Sequence, residues 1–435
     1  MLVTVLAAGL AGDVHPLAAL ARGLRDAGHT VRFATHRHWR SVATQTGLDY
    51  AELAGDPRVV VTDESFLKVL EANRRPDRLA AAAVSAVRSL ARRVEWRSNT
   101  GIRAVVQLAR WYDEALMNDV WSACEGAEAV IYGAPLAYHG YYTARVQGVP
   151  GVAAFLQTGH PLDHSVPGRR FLGQQIIWQI FRESITRWQR QTGQKTAPFL
   201  GPFPRWREER LPIIYGLSPS VLPEPDAVGG DQHVAGYWFL DSAPGTSLPS
   251  HVRDFLAAGP PPVYFTFGSL ATSQPQRLTD AINGALAVTG DRAIIATGWG
   301  GLAPTPDTDS VLCVEELPLD LVFPHVRAVV HHGGMMVTAE GLRAGRPTVL
   351  VPTVFDQFDW GNRIAELGVG PRPVRRQELT PMKLAGALKA TREPEMVRAA
   401  AELGARISAE RGVEYMVKVL DRVLTSGRDV RWRKS

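Results

Sequence analysis

The chain has 435 residues, 45% hydrophobic and 21% charged, which excludes global disorder and exceeds one ordinary core, so two domains are expected. Its formal charge of +5, from 48 basic and 43 acidic residues, is too small for its length to define a partner. Two cysteines, Cys124 and Cys313, exclude a disulfide framework and Cys-based metal spacing. A reducing, cytoplasmic setting is expected.

Leu2 to Ala8 is a continuous apolar run, followed by a Gly9–Gly12 turn, an amphipathic helix from Pro16 to Ala27 and a second strand, Thr30 to Thr35. This is the βαβ opening of a doubly wound sheet and not a leader peptide, since no basic segment precedes the apolar run. Residues 56–125 read as helical and Arg-rich. Short strands follow at Ala129–Tyr132 and Val149–Phe155, then a helical pattern over 171–191. From Pro219 to Pro249 the composition shifts to Pro, Gly, Asp and Ser, as in a linker. Strands are then expected at Val263–Phe267, Ala293–Thr297, Val311–Val314, Ala328–Val330 and within Pro347–Val354, alternating with helices. The expected organisation is a domain over 1–218, a linker over 219–249, a second domain over 250–420 and a terminal segment, 421–435, packing back on the first domain. Two such α/β sheets, facing each other, would form a cleft at the carboxyl ends of their strands.

Several strand ends carry chemistry. In the first turn, Asp13 suits a general base, or it caps the helix before Pro16. His15 is an alternative base, or a packing residue. The turn lacks the GxGxxG spacing, and no acidic residue closes the second strand, so a dinucleotide reading is weak. Ser269, after VYFTF, can bond a phosphate or start a helix. Trp299, after AIIAT, can wall a ligand or cover the core. The run HHGGMMVTAEGLRAG begins after Ala328–Val330 with His331, His332, Gly333 and Gly334 and leads into a helix expected from Thr338 to Ala344. Free N–H groups and the positive end of a helix dipole then meet at one place, which suits phosphate. His332 is a phosphate contact or a buried, bonded histidine. Glu340 can accept two ribose hydroxyls, or it answers the helix dipole. Adjacent histidines with no third ligand do not make a metal site. Asp356 and Gln357, after the following strand, suit the hydroxyls of a sugar. Trp96, Trp178 and neighbouring arginines suit a large apolar ligand or a peripheral lipid surface, or they are helix faces over a core. No nucleic-acid module is recognisable.

Together GDVHPLAALARGLRDAGHTVRFATH (12–36), VAGYWFLD (234–241) and HHGG through ELGVGP (331–371) resemble the family 1 glycosyltransferases of GT-B fold. The similarity is greatest to the bacterial sterol and glycopeptide-antibiotic glycosyltransferases. The resemblance implies two facing Rossmann-like domains and a metal-independent, inverting hexosyl transfer, of the kind found in natural-product biosynthesis. The sugar would move from a UDP- or dTDP-sugar cosubstrate, with no further cofactor, to a hydroxyl of a hydrophobic small molecule or lipid. It also implies residue roles. Asp13 would be the base, with His15, Trp96 and Trp178 on the acceptor side. Ser269, Trp299, His332, Gly333, Gly334, Met335, Met336, Val337, Glu340, Asp356 and Gln357 would hold the donor. One departure from the family is Ala11, where an Arg is usual before GDV, and another is Met335-Met336-Val337, where a small residue, Gly and then Thr or Ser are usual. Val337 has no hydroxyl for a phosphate, so weaker or retuned donor binding is expected. The alternatives are a non-catalytic nucleotide- or partner-binding relative, or a sugar-nucleotide epimerase of the same architecture.

Overall fold

The computed structural model describes residues 1–58, 114–157, 169–209, 211–222, 232–268, 274–299, 301–353 and 356–426. Ser269, Trp96 and most of the Arg-rich stretch 56–125 lie outside them. The chain divides into two compact units, one containing the described residues up to Leu240 together with those from Arg411 onward, the other running from Asp241 to Glu410. Within the expected linker, Gln232–Val234 is a strand of the first unit. The chain returns to that unit at Arg411, ahead of the expected 421.

The first unit is a seven-stranded sheet of β1 (Leu2–Leu6), β2 (Thr30–His36), β3 (Asp49–Leu53), β4 (Ala129–Gly133), β5 (Gly151–Phe155), β6 (Ile213–Tyr215) and β7 (Gln232–Val234), in the order β3-β2-β1-β4-β5-β6-β7. All its pairings are parallel, in register Val3 to Val31 and Val3 to Ala129 around β1. Helices on both faces explain why β4 and β5 are buried throughout and read as unbroken apolar runs.

The helix after β1 spans Ala11–Asp26, five residues earlier than Pro16 suggested, with Pro16 inside it. Proline's fixed φ suits a helix, and its missing N–H costs only the bond to the Gly12 carbonyl. The first turn is closed instead by Asp13 and Val14 N–H groups on Leu10 O, at 2.9 and 3.1 Å. The buried face, Val14, Leu17, Leu20, Ala21 and Leu24, lies on the sheet at helical spacing. Truncating Leu24, fully buried, to Ala would cost about 2–5 kcal/mol. On another side of this helix lies Gly412–Ser426, so close that a Cβ on Gly23 would fall 2.4 Å from Val413. His29 joins Asp421 at 2.8 Å in the same contact.

The second unit is a five-stranded parallel sheet of β8 (Val263–Thr266), β9 (Ala293–Ala296), β10 (Val311–Val314), β11 (Ala328–His331) and β12 (Thr348–Leu350), ordered β10-β9-β8-β11-β12. One core cluster holds Phe265, Ile282, Ile295 and Val349, and another holds Tyr264, Ile294, Phe323 and Val329. The helix after β11 spans Met335–Arg343, not 338–344. Gly333 takes the left-handed conformation (φ +99°) that ends the strand, Gly334 is the N-cap, and Met335 continues at once as a good helix former. No helix among the described residues is long and apolar enough to cross a membrane.

Candidate active site

In open parallel sheets ligands gather outside the carboxyl ends of strands, where the strand order reverses. In the first sheet the order reverses between β1 and β4, and the turn leaving β1 carries Asp13. In the second it reverses between β8 and β11, and the turn leaving β11 carries His332, Gly333 and Gly334. Both candidate groups therefore stand at the switch point of their own sheet.

Asp13 is the third residue of its helix, and its Oδ2 accepts the Leu10 N–H at 2.9 Å. It does not cap from outside the helix, the structural alternative open in the sequence. It reaches back from the first turn and satisfies an amide that the helix leaves orphaned. Gly9 makes this possible: its φ is +118°, and a Cβ there would sit 2.4 Å from Asp13 Oδ2. The carboxylate is partly buried, fixed in direction, and beside the positive end of the helix. His15, two residues on, packs edge-on against Trp39 with ring centroids 5.5 Å apart, and burial pushes its pKa down to about 4. It is a neutral imidazole at ordinary pH. Trp39 in turn donates its indole N–H to Gly9 O at 3.0 Å, which ties the turn to the next strand's end. Trp178 is buried completely, donates to Phe199 O at 3.0 Å and packs against Tyr138. It is a core side chain, the second of the two readings open for it.

In the second unit His331 is fully buried, and its Nδ1 accepts the Gly333 N–H at 3.0 Å, which shapes the turn. His332 lies tilted against Phe267 with ring centroids 6.5 Å apart. Its Nδ1 is buried with no hydrogen-bond partner among the described residues. Burial, then the nearby Arg376 guanidinium, lowers its pKa to about 4, so it acts as a neutral ring. A Cβ at Gly334 would lie 2.6 Å from His332 Nε2, so only glycine lets the imidazole sit over the helix start. The first intrahelical bond is Thr338 N–H to Gly334 O at 3.0 Å, and the amides of Met335, Met336 and Val337 precede it. No acidic residue occupies this first turn. An imidazole and a helix N-terminus thus converge on one spot, an arrangement fit for a diphosphate.

Val337 is 5% exposed and belongs to the core cluster with Val329 and Ile294. Its side chain fills the interior, while its N–H stays in the helix's first turn. The Thr338 hydroxyl is engaged with Gly334 O at 2.9 Å.

Glu340 is buried and bound to Arg343 at 2.7 Å, with Arg343 also on Asp241 at 2.6 Å. Burial raises its pKa to about 7 against the opposing pull of Arg343. Asp356 stands at the N-cap position of the helix Gln357–Glu366 without a side-chain cap bond, and its Oδ2 accepts the Trp360 indole N–H at 3.0 Å. Burial raises its pKa. Gln357 Oε1 accepts the Thr353 N–H at 2.9 Å. Trp299 is half-buried just after β9. Among the described residues no group of His, Cys, Asp and Glu is arranged to hold a metal ion.

Arg376, close to His332 in space and far from it in sequence, escaped the sequence reading. Its backbone N–H bonds Pro352 O at 3.3 Å, which brings the Arg376 turn to the end of β12. The Arg375-Arg376 pair was the one available signal, and it does not say which strand end the pair reaches.

The sequence matches the glycosyltransferase family 28 N-terminal domain over residues 3–161 and the erythromycin biosynthesis protein CIII-like C-terminal domain over 289–418. A sterol 3-beta-glucosyltransferase of Arabidopsis thaliana is 30% identical over 97% of this chain and 68% of its own length. That of Yarrowia lipolytica is 28% identical over 100% of this chain, which spans only 30% of the fungal protein. Among solved structures, the glycosyltransferase of kitacinnamycin superposes with a TM-score of 0.67 at 17% identity, over 97% of this chain and 99% of its own. The glycosyltransferase VinC in complex with dTDP gives 0.63 at 20% identity, over 98% and 100%. The two parallel sheets, the groups at their switch points and these similarities lead to one assignment: the chain belongs to the family 1 glycosyltransferases of GT-B fold.

Proposed function

We propose that the chain is an inverting glycosyltransferase that moves a sugar from a UDP- or dTDP-sugar to a hydroxyl of a hydrophobic small molecule or lipid. The observation that carries this reading is the acid-free helix N-terminus at the second sheet's switch point, overhung by neutral His332. It is suited to a diphosphate both as ligand and as leaving group. Asp13 takes the proton from the acceptor hydroxyl while that oxygen bonds to the anomeric carbon. The bond from that carbon to the diphosphate oxygen breaks, and its electron pair leaves with the diphosphate. The N–H groups of the first turn and His332 stabilise the charge that develops there, so the step calls for no metal ion. One displacement from the opposite face inverts the anomeric centre. Ionised Glu340 accepts the ribose hydroxyls, and Asp356 and Gln357 hold the sugar. The sterol 3-beta-glucosyltransferase relatives support a sterol-like acceptor and glucose as the sugar, and the dTDP complex of a structural neighbour supports a thymidine alternative.

Thermal melting with UDP, dTDP, GDP and their sugars tests the donor half. A shift with UDP or dTDP is expected, and it should be smaller with the nucleoside monophosphate. Transfer to a sterol panel, read with the anomeric configuration of the product, tests the rest. Retention of configuration would overturn the single displacement, and consumption of donor without acceptor would point to the epimerase alternative. The non-catalytic alternative rested on Met335-Met336-Val337. With Val337 turned into the core, its motive is weaker.

A further inference from the structure

The segment Pro198–Pro202 of the first unit presents two large apolar side chains to solvent, Phe199 at 64% and Leu200 at 57% exposure. Folding does not leave them there by looseness. Three side chains of the helix Arg169–Gln191 grip the carbonyls of this segment: Gln179 and Trp178 donate to Phe199 O at 2.8 and 3.0 Å, and Gln175 donates to Leu200 O at 2.9 Å. The backbone is held down and the side chains face out. Apolar surface fixed outward in this way costs free energy unless something covers it.

The surroundings say what covers it. The Arg182 guanidinium lies 4.8 Å over the Phe199 ring, and its Nε is buried with no hydrogen-bond partner among the described residues. Lys195 and Arg205, both exposed, line a cavity of about 610 Å³ together with Leu200, Pro198 and Tyr142, whose buried hydroxyl has no hydrogen-bond partner among the described residues. Glu208 is the acidic residue on that wall, and Arg145 is paired with Glu209. Over 182–210 the sequence carries seven Arg and Lys against three Glu. Basic side chains around a rigid apolar tip match a layer with anionic headgroups outside and acyl chains beneath. The cavity wall from the helix Ala137–Gln147 is its second half, Tyr141 to Val146, which runs back toward the amino ends of the strands. The site therefore stands apart from the Asp13 turn at the carboxyl end of β1.

We propose that Phe199 and Leu200, with Arg182, Lys195 and Arg205 around them, dock the first unit onto an anionic phospholipid bilayer. The two apolar side chains enter the acyl boundary and the basic groups engage headgroup phosphates. The contact is peripheral and reversible, as a single short apolar tip with basic neighbours must be. It needs neither donor nor acceptor, so its failure and the failure of the transferase reading are separate results.

The test is sedimentation of the full chain with vesicles of phosphatidylcholine alone and of phosphatidylcholine mixed with phosphatidylglycerol. Partition into the mixed vesicles, falling as salt rises, is expected. F199S/L200S should reduce that partition roughly ten-fold or more, through lost apolar burial. K195E/R205E should reduce it by at least roughly ten-fold, given the attraction of each basic residue to an anionic surface. Both variants should keep the parent's thermal melting and its response to nucleotide, which shows that the fold survives. Absence of partition, equal partition into neutral vesicles, or parent-like partition of F199S/L200S would overturn the proposal. So would a melting shift with soluble glycerol phosphate in a chain that ignores vesicles, since that would make the cavity a site for a free anion.

Discussion

The turn after β1 and the turn after β11 are built alike and do opposite things. Each leaves a buried parallel strand at its sheet's switch point, passes through a left-handed glycine, Gly9 or Gly333, and enters a helix directly. They differ at the third helical residue, which is Asp13 in one and Val337 in the other. Asp13 turns back, accepts the Leu10 N–H and fills the electropositive end with its own carboxylate. Val337 turns into the core and leaves that end without an acidic side chain of its own. On the proposed reading, the same local architecture holds a base where it supplies its own anion, and receives an anion where it does not. One position in the first turn separates the two.

The comparison can be broken at either turn. The largest expected effect is in Asp13→Asn, whose amide oxygen still accepts the Leu10 N–H. Turnover should fall by roughly 100-fold or more, the scale of a general base, while nucleotide binding by calorimetry stays at the parent's level. Unchanged turnover would remove Asp13 from the mechanism. His332→Ala should weaken nucleoside diphosphate by about ten- to a hundred-fold, the value of one charge-assisted bond. Binding of the bare nucleoside should hardly move, and equal losses for both would show a packing role instead. Met335→Asp gives the second turn the acid it lacks. Diphosphate affinity should drop roughly ten-fold at low salt and partly recover at high salt, because dipole and charge effects at a helix end are screened.

Glu340 adds a smaller effect that depends on pH. Its pKa is raised from 4.5 to about 7, so the folded chain binds more protons than the unfolded chain between those values. Stability without nucleotide should therefore fall as pH rises across that window, and Glu340→Gln should flatten the slope seen in denaturant melts. Donor affinity should run the other way, weakening as pH falls through about 7, if the ionised carboxylate holds the ribose as proposed. A donor affinity in the parent that is flat from pH 6 to 8 would exclude Glu340 from the ribose. Smallest of all is Val337→Thr, which restores the family's hydroxyl at a side chain that faces the core. Less than about a three-fold change in nucleotide affinity is expected, well below one hydrogen bond to a charged group. A larger gain would mean that the side chain reaches the ligand after all.

Much of this was legible in the sequence because it depends on local pattern. The strands Ala328–Val330 and Val263–Phe267 are apolar runs, and parallel strands buried on both faces must be so. The glycines after β1 and β11 marked both turns. Helix starts were less legible. Pro16 suggested a beginning, but it lies in the second turn of a helix whose first turn is closed by the Asp13 and Val14 N–H groups on Leu10 O, and its missing N–H loses one bond. Met335 to Val337 lay ahead of the helix expected from Thr338, yet Met is a good helix former and the helix starts at Met335. The direction in which Val337 faces could not be read at all, since it depends on where the helix lies on the sheet. For the same reason Arg376 was missed, because its proximity to His332 is set by the turn after β12. The grip of Gln175, Trp178 and Gln179 on Phe199 and Leu200 is likewise a contact between distant segments, and Trp178 on its own suited a large apolar ligand, a lipid surface or a helix face over a core.

The contact between Gly23 and Val413 has a consequence for synthesis. The helix Ala11–Asp26 leaves the ribosome long before Gly412–Ser426, the helix that covers its other side. Domains usually fold in the order in which they are made. Here the whole of 241–410 emerges before the first unit has all its parts, so the unit begun first is finished last. Until then the face of Gly23 is open, and a nascent chain stalled before Arg411 would expose it to chaperones and proteases.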